Sequence, residues 1–122
     1  MNISFAFDDS GHAVTLHYAA EPSLQEWTDT MLAAMNDPRF HPGIKLLFDR
    51  RLLGPPSPDF VRGVAEFVGL HRAILSRCPS AILVGGKGAY GMARMGQALI
   101  DIHGVTFEIL ESAEAAEEWL RM

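Results

Sequence analysis

In the segment AILVGGKGAYGMARM, residues 81–95, Gly86, Gly88 and Gly91 spell G-x-G-x-x-G between an apolar run and a helix-like stretch, and Glu111 stands twenty positions beyond the last glycine. This is the spacing of a dinucleotide-binding turn, in which glycines let the backbone approach a pyrophosphate, a helix N-terminus supplies N–H donors and an acid takes a ribose hydroxyl. Lys87 would face a phosphate and Glu111 the ribose. A dinucleotide fold, however, places this fingerprint in the first β-α turn of one of two β-α-β halves. Only one β-α-β unit follows the glycines here, and Gly88 rather than Ser or Thr follows Lys87, which removes the Walker arrangement as well. The structural alternative is simpler: Gly85, Gly86 and Gly88 turn the chain from strand to helix, and Gly91 lets that helix pack closely on the sheet. No nucleotide or other cofactor is expected.

Beyond the glycines, Tyr90, Arg94, Gln97 and Asp101 recur at helical spacing on one face, while Met92, Met95, Leu99 and Ile102 form an apolar stripe on another. Arg94, Lys87 and Arg50 are cations able to hold an acidic group, and Tyr90 lies one turn from Arg94. The alternative for the arginines is pairing with nearby carboxylates such as Asp49 and Asp101. Ser57, before Pro58 and Asp59, is either a helix N-cap or a modifiable hydroxyl. His12, His17, His41, His71 and His103 include no pair at metal-ligand spacing. Cys78 precedes a proline without a neighbouring base and reads as a packing thiol; no serine sits in G-x-S-x-G. Neither a catalytic residue nor a metal site is expected, and the partner- or ligand-binding candidates are Arg50, Ser57, Lys87, Tyr90 and Arg94.

These residues must be positioned by a chain of 122 residues, one domain by size and long enough to bury roughly two thirds of its unfolded surface. Ten Lys and Arg against fifteen Asp and Glu leave a net charge of -5, which repels phosphate backbones, so no nucleic acid partner is expected. The start, MNISFAFDDSG, has no basic n-region, and no apolar run approaches the length of a membrane span; both point to the cytoplasm. Ile3 to Phe7 and Ala13 to Ala19 alternate apolar with polar residues across DDSG, a β-hairpin. Ser23 and Glu26 form a capping box for a helix running to about Met35. IKLLFD at 44–49 is a strand, and Ser57 opens a helix that CPS ends, with Phe60, Val64, Phe67, Val68, Ile74 and Leu75 as its buried stripe. Strand AILV, a helix from about Tyr90 to His103 closed by Gly104, strand VTFEIL and a helix opened by Ser112 complete the chain.

The order ββαβαβαβα is an α/β fold, a single domain over 1–122 whose five-stranded, mostly parallel sheet begins with a hairpin. Only the 44–49 and 81–84 strands are apolar on both sides, which predicts helices mainly on one face of the sheet and a partly open second face. An open face and edge invite self-association, with a homodimer the commonest solution.

DPRFHPGIKLLFD, AYGMARM and SAEAAEEWL resemble a family of small bacterial proteins related to the STAS domains, the fold of the sporulation anti-sigma-factor antagonists, and more distantly to the CRAL-TRIO lipid-binding domains. The resemblance covers nearly the whole chain and implies a five-stranded sheet with packed helices. In the antagonists, a serine in an Asp-Ser-Ser-Gly turn at a helix start is phosphorylated and switches partner binding. The matching region here, DRRLLGPPSPDF, has Ser57 at the helix start, lacks that tetrapeptide and places Asp59 where it repels a phosphate. Two functions follow as expectations: a non-enzymatic regulatory domain that binds a protein partner, or a binder of a small apolar or acidic ligand between helices and sheet. An apolar groove beside the 60–75 helix favours the ligand; a flat polar surface around Ser57 favours the protein partner.

Overall fold

When parallel strands follow one another in sequence and every crossover is right-handed, all crossover helices fall on the same face of the sheet. In the computed structural model, which describes residues 1–122, the helices between successive parallel strands share one face of the sheet. β1 (Ile3–Phe7) pairs antiparallel with β2 (Ala13–Tyr18), and β3 (Lys45–Asp49), β4 (Ser80–Leu83) and β5 (Glu108–Leu110) continue the sheet in parallel, in the order β1-β2-β3-β4-β5. The crossovers are α1 (Leu24–Asn36), α2 (Pro58–Leu70) with the single turn α3 (Arg72–Leu75), and α4 (Lys87–Asp101). α5 (Ala113–Arg121) joins no further strand and packs elsewhere.

Strand periodicity decides which residues meet the helices. Ile3, Val14, Leu16, Tyr18 and Leu46 belong to the main core under α1 and α2. Leu47, Ala81 and Leu83 point the other way, and α5 covers them with Ala116 and Trp119. The two strands that are apolar on both sides are therefore the two that α5 overlies, while Ser4, Ala6 and His17 stay exposed on the uncovered part of the hairpin. Lys45 fastens α5 by donating from Nζ to the Trp119 carbonyl at 2.7 Å.

Helix starts follow their caps. Ser23 and Glu26 form the reciprocal capping box of α1, and Ser57 accepts from the Phe60 N–H at 3.1 Å, with Pro58 opening α2. Elsewhere the sequence expectation needs correction. α4 starts at Lys87 rather than Tyr90, so Gly88 and Gly91 lie inside the helix, and the second helix breaks at His71, whose ring packs on Phe67 with centroids 4.4 Å apart. β5 is only three residues long, and Ile74 is 41% exposed, outside the stripe assigned to it. The buried residues of α4 are Ala89, Ala93, Gly96 and Ile100 rather than the methionine stripe, and Ile102 is exposed. The reason is close packing on α2: a side-chain carbon at Gly96 would lie 3.4 Å from a Val61 methyl, so the helix approaches on its small residues.

The glycines separate into different roles. A side-chain carbon at Gly85 would run into the Arg51 carbonyl, so the turn needs glycine because the chain after β3 presses against it. At Gly91 nothing lies within 4 Å, and close packing is not its function. Gly91→Ala is therefore expected to stabilise the protein by about 0.5–1 kcal/mol through helix propensity. Gly85→Ala should destabilise it by about 1–3 kcal/mol, as overpacking does. Urea unfolding of the two variants checks both signs.

Candidate functional site

The inward alternation of β3 runs Leu46, Phe48 and, one step past the strand, Arg50, whose N–H still continues the ladder by donating to the Leu83 carbonyl at 2.9 Å. Arg50 is consequently carried beneath the helices and is only 5% exposed, the single buried charged residue of the chain. Its Nη1 donates to Glu21 Oε2 at 3.0 Å and its Nη2 to Glu21 Oε1, a two-pronged ion pair. The guanidinium lies 5.1 Å from the Tyr18 ring centre and 5.9 Å from that of Phe60, within cation–π range. The pair is lopsided: the Arg50 side chain is 6% exposed and that of Glu21 41%.

Below this ion pair the sheet and helices do not fill their shared space. A chamber of about 120 Å³ lies between β2, β3 and β4 on one side and α1, α2 and α4 on the other. Trp27, Met31, Phe48, Val68, Ile82 and Ala93 are among its walls, and Arg50 is the only charged residue among those that line it. The small residues of α4 explain the gap, because Ala89, Ala93 and Gly96 reach less far toward the sheet than the larger side chains around them. Trp27 braces the α1 side, its ring centred 5.2 Å from Phe67 and 6.4 Å from both Phe48 and Phe60. At the strands' carboxyl ends, half-buried Pro56, Phe60 and Met92 bring the chamber toward the surface. This is the end of a parallel sheet where ligands are usually held.

Tyr18 closes the same end. Burial pushes its phenol up to about 12, against the opposing pull of the adjacent Arg50 charge, so the hydroxyl keeps its proton as a donor. Because the folded-state value is raised, the stability linked to it is complete below pH about 10 and is lost as pH rises through about 12. About 3 kcal/mol of stability should vanish over that window, and Tyr18→Phe should flatten this part of the alkaline profile. Urea midpoints measured across the window test it.

The sequence candidates do not converge. Arg50 pairs with Glu21 rather than with Asp49, which Arg51 holds at 3.1 Å. Arg94, exposed, borders a separate shallow depression with Gln97, Ala98, Asp101 and Thr106, where Gln97 donates to the Phe107 carbonyl at 2.8 Å. Tyr90 is half-buried and packs beside Val84, Ala89 and Ala93, whereas Lys87 is exposed at the start of α4. Ser57 is exposed and serves as an N-cap, and Asp59 is occupied by Arg62 at 2.9 Å. Cys78 is buried, its thiol pushed up by that burial. Sequence reasoning missed Tyr18, Glu21 and Trp27 as site residues. Alternation along β2 signals that Tyr18 points inward, but nothing signals Glu21, which comes from an irregular connection.

No group of three His, Cys, Asp or Glu side chains converges in a way that would hold a metal ion. No helix is long and apolar enough to cross a membrane. No family model, curated protein or solved structure matches this chain.

Proposed function

We propose that this protein binds a small, largely apolar molecule in the chamber between sheet and helices, without chemical conversion of it. The observation that carries this reading is the chamber itself, about 120 Å³ with hydrocarbon walls and one cation at its end. An engineered cavity of ~150 Å³ with comparable walls stays dry and takes benzene, so the occupant here is a single ring or short branched chain rather than a long acyl chain. The apolar space beside α2 is the feature that, on sequence grounds, distinguishes a ligand binder from a protein-binding regulator. Calorimetric titration with toluene tests the reading. Saturable heat is expected for the native chain and none for Ala93→Leu, which fills the chamber; equal heats in both, or none in either, would refute it.

The regulatory reading, with a STAS-like relationship behind it, keeps one supporting observation. Ser57 is exposed at the start of α2, and Leu52 in the same connection is 85% exposed, a polar and an apolar contact on one loop. Self-association has the free edge of β1, paired on one side only, as its natural seam.

A further inference from the structure

The Glu21–Arg50 pair suggests what the chamber would accept. We infer that its occupant is a small monocarboxylate whose anionic head takes the place of Glu21 on Arg50; this rests on reading the chamber as a binding site. The guanidinium fork matches a carboxylate in two-pronged geometry, and it already holds one, supplied by the chain itself. The two partners differ in what they lose on separation. Glu21, with 41% of its side chain in solvent, can turn outward and be hydrated. Arg50, with 6% exposed and held near the Tyr18 and Phe60 rings, cannot. An entering carboxylate therefore exchanges one anion for another and never leaves the buried cation bare. A cationic ligand would meet Arg50 as a like charge, and a neutral one would leave the internal pair in place.

Tyr18 adds a second recognition element. It lines the chamber together with Trp27 and Arg50, its ring lies 5.1 Å from the guanidinium, and the guanidinium carries donors only. A ligand carboxylate that replaces Glu21 on Arg50 from the chamber side keeps an acceptor within reach of the phenol, which the guanidinium is not. The rest of the ligand is constrained by volume: about 120 Å³ behind the cation admits one ring or a short branched chain.

Calorimetric titration of the full chain with benzoate, benzamide and toluene separates the claims. Benzoate is expected to bind at least about tenfold more tightly than the neutral, similarly shaped benzamide, as a charge-assisted bond warrants. Glu21→Gln, which removes the competing carboxylate, should bind benzoate about tenfold more tightly than the native protein does. Its melting temperature should also rise more with benzoate than the native protein's does. Arg50→Leu should bind benzoate and benzamide alike. If toluene binds but benzoate is not preferred over benzamide, the carboxylate inference fails and the chamber reading stands. If none of the three binds, both fail. A benzoate preference that survives in folded Arg50→Leu would place the anion elsewhere and overturn the inference. The native benzoate-to-benzamide ratio decides the matter should either variant not fold.

Discussion

Replacing Trp27 with alanine should cost about 3–5 kcal/mol, a large share of what holds a domain of this size folded. The indole is 3% exposed and makes edge-on contacts with Phe60 and Phe67 while stacking on Phe48, so its removal opens a void that rigid neighbours cannot close. The loss has a second consequence, because Trp27 is a wall of the ligand chamber. The alanine variant should be stabilised by toluene more than the native protein is, the enlarged space taking up the missing ring. Urea unfolding with and without toluene measures both effects. A cost under about 1 kcal/mol would mean that the indole is not the brace described here.

The second large effect is an inequality within one ion pair. Glu21→Gln strands the Arg50 charge in surroundings that are 5% exposed, and an uncompensated buried charge is costly. Half-exposure of Glu21 weakens the pair relative to a fully buried one, so a loss of about 2 kcal/mol is expected. Arg50→Leu does the reverse: it leaves behind a carboxylate already 41% in solvent and adds an apolar side chain near Tyr18 and Phe60. Its cost should stay below about 1 kcal/mol. Parallel denaturation curves at neutral pH compare the two. A larger loss for Arg50→Leu than for Glu21→Gln would show that the arginine serves stability rather than waiting on an anion.

Most of the fold is legible in the sequence because local signals agree with the global arrangement. DDSG between alternating runs makes the hairpin, where the Asp8 carboxylate accepts from the His12 N–H at 3.0 Å; Ser23 with Glu26 and Ser57 with Pro58 open their helices. Doubly apolar β3 and β4 foretell cover on both faces there, and α5 supplies the second layer. What local patterning misreads is α4. Its methionines look like the core stripe, but α4 buries Ala89, Ala93, Gly96 and Ile100 and approaches α2 at Gly96, and apolar periodicity ranks the alanines and the glycine below larger residues. The candidate site is half legible for the same reason. Alternation through Leu16 and Tyr18, and through Leu46, Phe48 and Arg50, points the tyrosine and arginine inward. Glu21 reaches Arg50 across a separation of 29 residues, and no local rule announces that meeting. Spacing also does not show which glycine of the turn the tertiary contacts require: it is Gly85, outside the G-x-G-x-x-G triplet, that the Arg51 carbonyl crowds.

The reading of the chamber as a ligand site is tested most directly by methyl-resolved NMR of the labelled protein during titration with toluene. Saturable shifts should appear at Met31, Val64, Ile82 and Met92, which line the chamber, and be absent from Leu47 and Leu83, which face α5 on the opposite side of the sheet. Unchanged spectra at saturating toluene, or shifts centred on Leu47 and Leu83, would contradict it.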